Sequence, residues 1–245
     1  MKVGLFIPCY IDQFYPNVGV ATLELLEKLG CEVSFPLNQT CCGQPMANSG
    51  CEKDSVGAAQ LFVENFKDYD YIVAPAASCV YFVKKHYYIL EQTPEVKHVT
   101  KHVYDLSEFL TDVLKVEKID AKFPFKVGLH SSCHGQRGMR LAQSSEINGP
   151  DYSKQRQLLQ MVEGLELIDL DRKDECCGFG GTFCVSEEAV SAKMGKDRVA
   201  DHERHGAEVL TGGDVSCLMH LEGIIRREKK PIKVMHLAEI LNSSK

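Results

Sequence analysis

The sequence predicts an α/β protein made of two duplicated units, each a parallel β-sheet with helices on both faces. Three observations carry this. Landmarks recur in the same order in both halves of the 245-residue chain, short apolar runs alternate with helix-like stretches, and cysteines fall just after those runs. An internal repeat is one supersecondary unit used twice and has to be settled before any fold is assigned. Strand–helix alternation implies parallel sheets, because a crossover helix returns the chain to the starting edge of the sheet.

The landmarks are specific. Lys2-Val3-Gly4-Leu5 leads to Cys9, and Lys126-Val127-Gly128-Leu129 leads to Cys133. Each half then reaches Cys-Cys-Gly, at Cys41-Cys42-Gly43 and Cys176-Cys177-Gly178, followed by Ser78-Cys79 and Ser216-Cys217. Related tails close the halves, Val103–Leu110 against Val234–Leu241. The units are taken as residues 1–122 and 123–245, Rossmann-like and related by a pseudo-twofold axis.

Taken in order, Val3–Ile7 is a short apolar run broken by Pro8, as expected of a buried parallel strand. Pro16 and Asn17 open a helix with Val18, Ala21, Leu25 and Leu29 on one face and Gly30 as its stop. Glu32–Phe35 is the second strand, Tyr71–Ala74 the third, with a helix after Cys79, and His102–Tyr104 the fourth, with Ser107 capping the next helix. The second half repeats these strands at Val127–His130, Leu165–Leu170, Glu208–Leu210 and Ile232–Met235. Loops at the carboxyl ends of parallel strands converge on ligands. Cys9, Cys41, Cys42 and Cys79 are therefore expected to form one group, and Cys133, Cys176, Cys177 and Cys217 another.

Net charge is −6, so the chain lacks the basic footprint of a nucleic-acid binder. The amino-terminal apolar run is too short for a signal-peptide core, and no window approaches the length of a membrane helix. A cytoplasmic protein is expected. Eleven cysteines is the unusual count, and in a reducing compartment metal or redox chemistry is the default over a disulfide framework.

Four thiolates suit either a structural zinc or an iron–sulfur cluster. The separations are long, with 31 residues between Cys9 and Cys41 and 36 between Cys42 and Cys79, whereas zinc knuckles are compact. Adjacent thiolates are awkward on one small ion but fit different irons of a cluster, and the following glycine brings backbone N–H groups toward sulfur. Gly178-Phe179-Gly180-Gly181 extends that feature and is not a dinucleotide fingerprint. Zinc in one or both sites stays open.

The duplicated cysteine pattern resembles the cysteine-rich CCG domain shared by iron–sulfur components of heterodisulfide reductase, glycolate oxidase and anaerobic glycerol-3-phosphate dehydrogenase. Within that superfamily the two-repeat chain is most similar to the lactate-utilisation A family. The matching stretches are Leu26–Cys31, Cys41–Pro45, Cys176–Phe183 and Asp214–Cys217. The resemblance implies an iron–sulfur electron-transfer subunit of an L-lactate dehydrogenase complex. It would relay electrons from oxidation of L-lactate to pyruvate, and would not be active alone. It implies up to two clusters, [4Fe–4S] in type, bound by the eight cysteines. It also implies partners similar to lactate-utilisation proteins B and C, through which peripheral membrane association would arise. The alternatives are a disulfide-reducing catalytic component, as in heterodisulfide reductase, and a zinc-stabilised scaffold.

The family pattern is fullest with a fifth cysteine per set, where this chain has Phe82 and His220. Phe82 cannot ligate; His220 is a candidate ligand or a hydrogen-bond donor beside the site. Cys51 and Cys184 follow their pairs by nine and seven residues and are candidate replacements, against ordinary packing. Cys31 reads as a buried, inert thiol. His134, Arg137 and Arg140, just beyond Cys133, are either anion-facing groups or a helix cap and surface.

Overall fold

The computed structural model describes residues 1–243. Strands β1 (Lys2–Leu5), β2 (Glu32–Ser34), β3 (Tyr71–Ala74) and β4 (Val103–Asp105) form a parallel sheet in the order β2-β1-β3-β4. Strands β5 (Lys126–His130), β6 (Glu166–Ile168), β7 (Val209–Gly212) and β8 (Lys233–His236) repeat it as β6-β5-β7-β8. The α/β expectation of two duplicated, Rossmann-like units holds. In each sheet the chain leaves the first strand in one direction and later returns on its other side, which opens a crevice between the two central strands at their carboxyl ends.

Two local expectations are corrected. β1 ends at Leu5, although the Phe6 N–H still reaches the Val73 carbonyl at 2.9 Å. Ser107 does not cap the helix after β4: Asp105 does, accepting from the Ser107 N–H at 2.9 Å.

The glycine in each Lys-Val-Gly-Leu strand has a steric cause. A Cβ on Gly4 would lie 2.8 Å from the Phe66 ring, and one on Gly128 would lie 2.2 Å from His202 Nδ1. Glycine in a strand marks such close approach. It seats helix α4 (Val56–Phe66) on the first sheet and helix α10 (Glu188–Arg204) on the second.

The remaining helices complete the two units, and some of them pack the units against each other. In the first unit these are α1 (Cys9–Phe14), α2 (Pro16–Lys28), α3 (Gln44–Asn48), α5 (Ala77–His86), α6 (Pro94–His102) and α7 (Leu106–Glu108). In the second they are α8 (Lys154–Leu159), α9 (Phe183–Ser186), α11 (Val215–Glu228) and α12 (Leu237–Leu241). Helix α2 packs on α12 of the other unit, and α8, the counterpart of α2, packs on α7, the counterpart of α12. Reciprocal contacts of this kind define an isologous, twofold interface. On the axis itself Ala76 bridges Asp214 antiparallel, each lying three residues before Cys79 or Cys217.

The interface is hydrophobic core rather than a polar seam. Leu5, Leu25, Leu26, Phe109, Leu129, Leu158 and Ile240, drawn from both units, belong to one buried cluster. The outer face of each sheet has its own smaller core, with Phe6, Phe62 and Phe66 in the first unit and Val199, Leu221 and Ile225 in the second. Among the described residues no helix is long and apolar enough to cross a membrane.

Candidate metal centre

Each cysteine set comes from three segments that follow strands at the carboxyl edge of its sheet. Cys9 opens α1, Cys41 and Cys42 lie in the loop after β2, and Cys79 is the third residue of α5. In the second unit Cys133 precedes a turn of π-helix, Cys176 and Cys177 follow β6, and Cys217 is the third residue of α11. Cys79 and Cys217 therefore lie within their helices and not before them. Cys9 Sγ lies 3.8 Å from Cys41 Sγ, and sulfur contacts continue from Cys41 to Cys42 and from Cys42 to Cys79. The second unit repeats the chain of contacts as Cys133, Cys176, Cys177, Cys217. All of the described cysteines are unpaired as disulfides.

The electrostatics are equally matched. In each set the first cysteine of the adjacent pair takes the negative charge. Hydrogen bonds from Cys42 and then Cys9 pull the Cys41 thiol down to about 3, and bonds from Cys133 and then Cys177 pull Cys176 down to about 2. Their neighbours are pushed the other way: donation to those same sulfurs and burial raise Cys9, Cys42, Cys133 and Cys177. Without a cation, the clustered sulfurs compete for the same protons. A metal centre would remove the conflict by deprotonating them all.

Backbone donors support that charge. Gly43 N–H lies 3.4 Å from Cys41 Sγ, Gly178 N–H 3.4 Å from Cys176 Sγ, and Phe179 N–H 3.5 Å from Cys177 Sγ. Gly43 and Gly178 reach these positions with φ of +98° and +88°, in the left-handed region that glycine occupies without strain.

Both sets line a single cavity of about 370 Å³ between the units, together with Tyr10, Ser78, Ser132, His134, Phe179 and Asp214. Asp214 is buried and accepts from the Ser78 N–H and Oγ, both at 2.9 Å, so a carboxylate of the second unit ties down the first turn of α5. Arg137 lies outside, paired with Glu146 and Asp174, and Arg140 is exposed; of the three residues after Cys133 singled out in the sequence, only His134 reaches the cavity. His220 directs Nε2 to the Ser191 carbonyl at 3.4 Å, a bracing contact. Cys184 donates to the Gly181 carbonyl at 3.0 Å, Cys51 is exposed, and Cys31 is buried in the shared core.

The cysteine-rich CCG domain matches residues 3–84 and 127–222, once per unit. Over nearly the whole chain the sequence is similar to "Lactate utilization protein A" of several bacteria. It is 43% identical to that of Bacillus licheniformis, over 99% of this chain and 100% of the relative. Identity to the Bacillus subtilis protein is 42%, again over 99% and 100%. The chain belongs to the lactate utilization protein A family. A hypothetical protein from Helicobacter pylori shares the fold, with a TM-score of 0.63 at 14% identity, over 98% of this chain and 48% of that one.

Nothing in the spacing analysis singled out His130 in this member of the lactate utilization protein A family. It ends β5, is buried, and lies with Cys177 and Cys217 in a group whose donor atoms are within 4.8 Å of one another. A signal was present: the aligned repeats read Lys-Val-Gly-Leu-Phe and Lys-Val-Gly-Leu-His, so a titratable residue replaces a core phenylalanine beside the site. Several thiols make a donor set suited to binding a metal ion or cluster, with a buried imidazole and aimed N–H groups beside it.

Proposed function

We propose that this chain is the iron–sulfur electron-transfer subunit of a lactate-utilising complex. Cys9, Cys41, Cys42 and Cys79 hold one [4Fe–4S] cluster, and Cys133, Cys176, Cys177 and Cys217 hold a second. The observation that carries this is the repetition of one sulfur arrangement, with N–H groups aimed at the same two positions, on both sides of one cavity. Adjacent cysteines suit a body with several irons better than a single small ion, and N–H···S bonds are a recognised support for clusters. Such groups supply one-electron transfer.

Oxidation of L-lactate to pyruvate releases two electrons and two protons, which matches a pair of one-electron centres facing one another. The chain's own residues hold the sulfurs, keep Cys42 and Cys177 away from water, and brace the cavity through Asp214. Substrate oxidation and onward transfer fall to partner subunits similar to lactate-utilisation proteins B and C. The names of the relatives support the lactate assignment.

Metal and acid-labile sulfide analysis after anaerobic purification is the deciding measurement. Iron with sulfide is expected, and each of the double variants C41S/C42S and C176S/C177S is expected to lose about half of both. Either variant should also abolish lactate-dependent electron transfer in the assembled complex. Zinc without sulfide would mark a scaffold instead, and full iron in both variants would overturn the assignment of ligands.

A further inference from the structure

The two units use matching sulfur sets but different material behind them. In the first, Phe6 packs edge-on to Phe62 at 4.8 Å and Phe66 at 5.9 Å between ring centroids. The second places His130, Arg198 and His202 at the corresponding positions. The correspondence is fixed by geometry, since Gly4 abuts Phe66 as Gly128 abuts His202, and Phe62 and Arg198 each lie one helical turn earlier on their helix. An apolar wall in one unit is thus a buried polar relay in the other.

The relay has one chemical orientation. Arg198 is fully buried, and its Nε–H donates to His130 Nδ1 at 3.2 Å. Its remaining groups are committed to the Arg172 and Leu129 carbonyls and to Asp201. A guanidinium has only donors, so Nδ1 of His130 must be the acceptor and Nε2 must carry the ring proton. That Nε2 has no partner within the protein, although its residue is 1% exposed, and a ring nitrogen of His130 lies within 4.8 Å of the Cys177 and Cys217 sulfurs; with Nδ1 committed to Arg198, Nε2 is the nitrogen left free to meet them. A histidine that ligates a metal through one nitrogen donates from the other, usually to a carbonyl or carboxylate. His130 has the reverse arrangement, which suits a donor toward sulfur rather than a ligand.

We propose that His130, oriented by Arg198, differentiates the two centres: its Nε2–H donates to a ligand sulfur of the second unit and gives that unit's cluster the higher reduction potential. The inference rests on the cluster assignment above. Reduction adds negative charge to a cluster, and a hydrogen bond to its sulfur stabilises that charge; such bonds are among the levers that set these potentials. Asp201, 3.3 Å from Arg198 and shared with Arg204 at 2.9 Å, offsets part of the Arg198 charge, and a change at His130 that keeps Arg198 in place reads the directed imidazole N–H, with Arg198 acting by fixing the tautomer. Electrons entering at the first unit would then run toward the second.

The test uses full-length protein purified anaerobically, with iron and sulfide measured first. Absence of both removes the cluster assignment and this inference together. With clusters present, C176S/C177S and C41S/C42S isolate the first and second centre, respectively, for redox titration followed by electron paramagnetic resonance. The second centre is expected at the higher potential, and His130→Phe should lower it toward the first without loss of iron or sulfide. Equal or inverted potentials would overturn the inference while leaving the clusters in place. Should His130→Phe fail to fold, unaltered protein containing 15N-histidine supplies the readout. A weak nitrogen coupling to the reduced second centre is expected; a coupling of directly ligated size, or none, refutes the donor role.

Discussion

Gly178 lies at φ +88°, and a Cβ there would meet the Ser191 carbonyl oxygen at 2.7 Å and Met194 Cβ at 2.8 Å. Gly43, at φ +98°, would meet Ser55 Cβ at 2.9 Å. The sequence points to these glycines as room for the backbone near sulfur. The structure adds that they are required by a left-handed turn packed against a helix on the opposite side. Gly178→Ala is therefore expected to cost about 1–3 kcal/mol of backbone strain in urea unfolding, and more from the overlap with the Ser191 carbonyl. Gly43→Ala should cost less, because its obstacle is a small side chain rather than a carbonyl. Gly30→Ala is the control: φ is +82° but the space is open, so only the backbone penalty of about 1–2 kcal/mol applies. Equal losses at all three positions would contradict the packing explanation. The cysteines were legible at this scale because a repeated triplet is local in the chain; His130 was not, because its meaning depends on Arg198, 68 residues away.

At the scale of the element, the two units cap equivalent helices with different chemistry. Asp105 begins α7 and His236 begins α12, and both are buried. Burial pushes the Asp105 carboxyl up to about 7 against the opposing bonds from Ser107, and burial pushes His236 down to about 4. Between the ordinary aspartate range and pH 7 the folded state holds a proton on Asp105 that the unfolded chain releases, so that contribution is lost as pH rises. For His236 the unfolded chain holds the extra proton between pH 6.5 and 4, so stability is lost as pH falls across that window. Each pKa unit is worth about 1.4 kcal/mol. Asp105→Asn should therefore gain melting temperature relative to the parent as pH rises from 4 to 7, and His236→Asn should gain as it falls from 6.5 to 4. Parallel pH profiles for either variant and the parent would show that the cap does not titrate as its burial requires. The strands were readable from short apolar runs. Caps were less so, since Ser107 and Asp105 are both good capping residues and only backbone geometry selects between them.

Over the whole molecule, the two units share one core across α2 and α12. Ile240→Ala, at a fully buried position, should cost about 2–5 kcal/mol. Calorimetry should give one cooperative transition that shifts as a whole, because neither unit can open without exposing the common cluster. Two resolved transitions, with only the second moved, would contradict a shared core. The sequence by itself determined the duplication, the alternation that makes both sheets parallel, and the division of eight cysteines into two sets, because each is a pattern of residue type and spacing along the chain. Only the tertiary structure decided that both sets open onto one cavity, that Asp214 of one unit anchors α5 of the other, and that a histidine–arginine relay stands where the first unit has phenylalanines. Those features come from the reciprocal packing of two similar units about an axis, and a contact between units leaves no periodicity in either one.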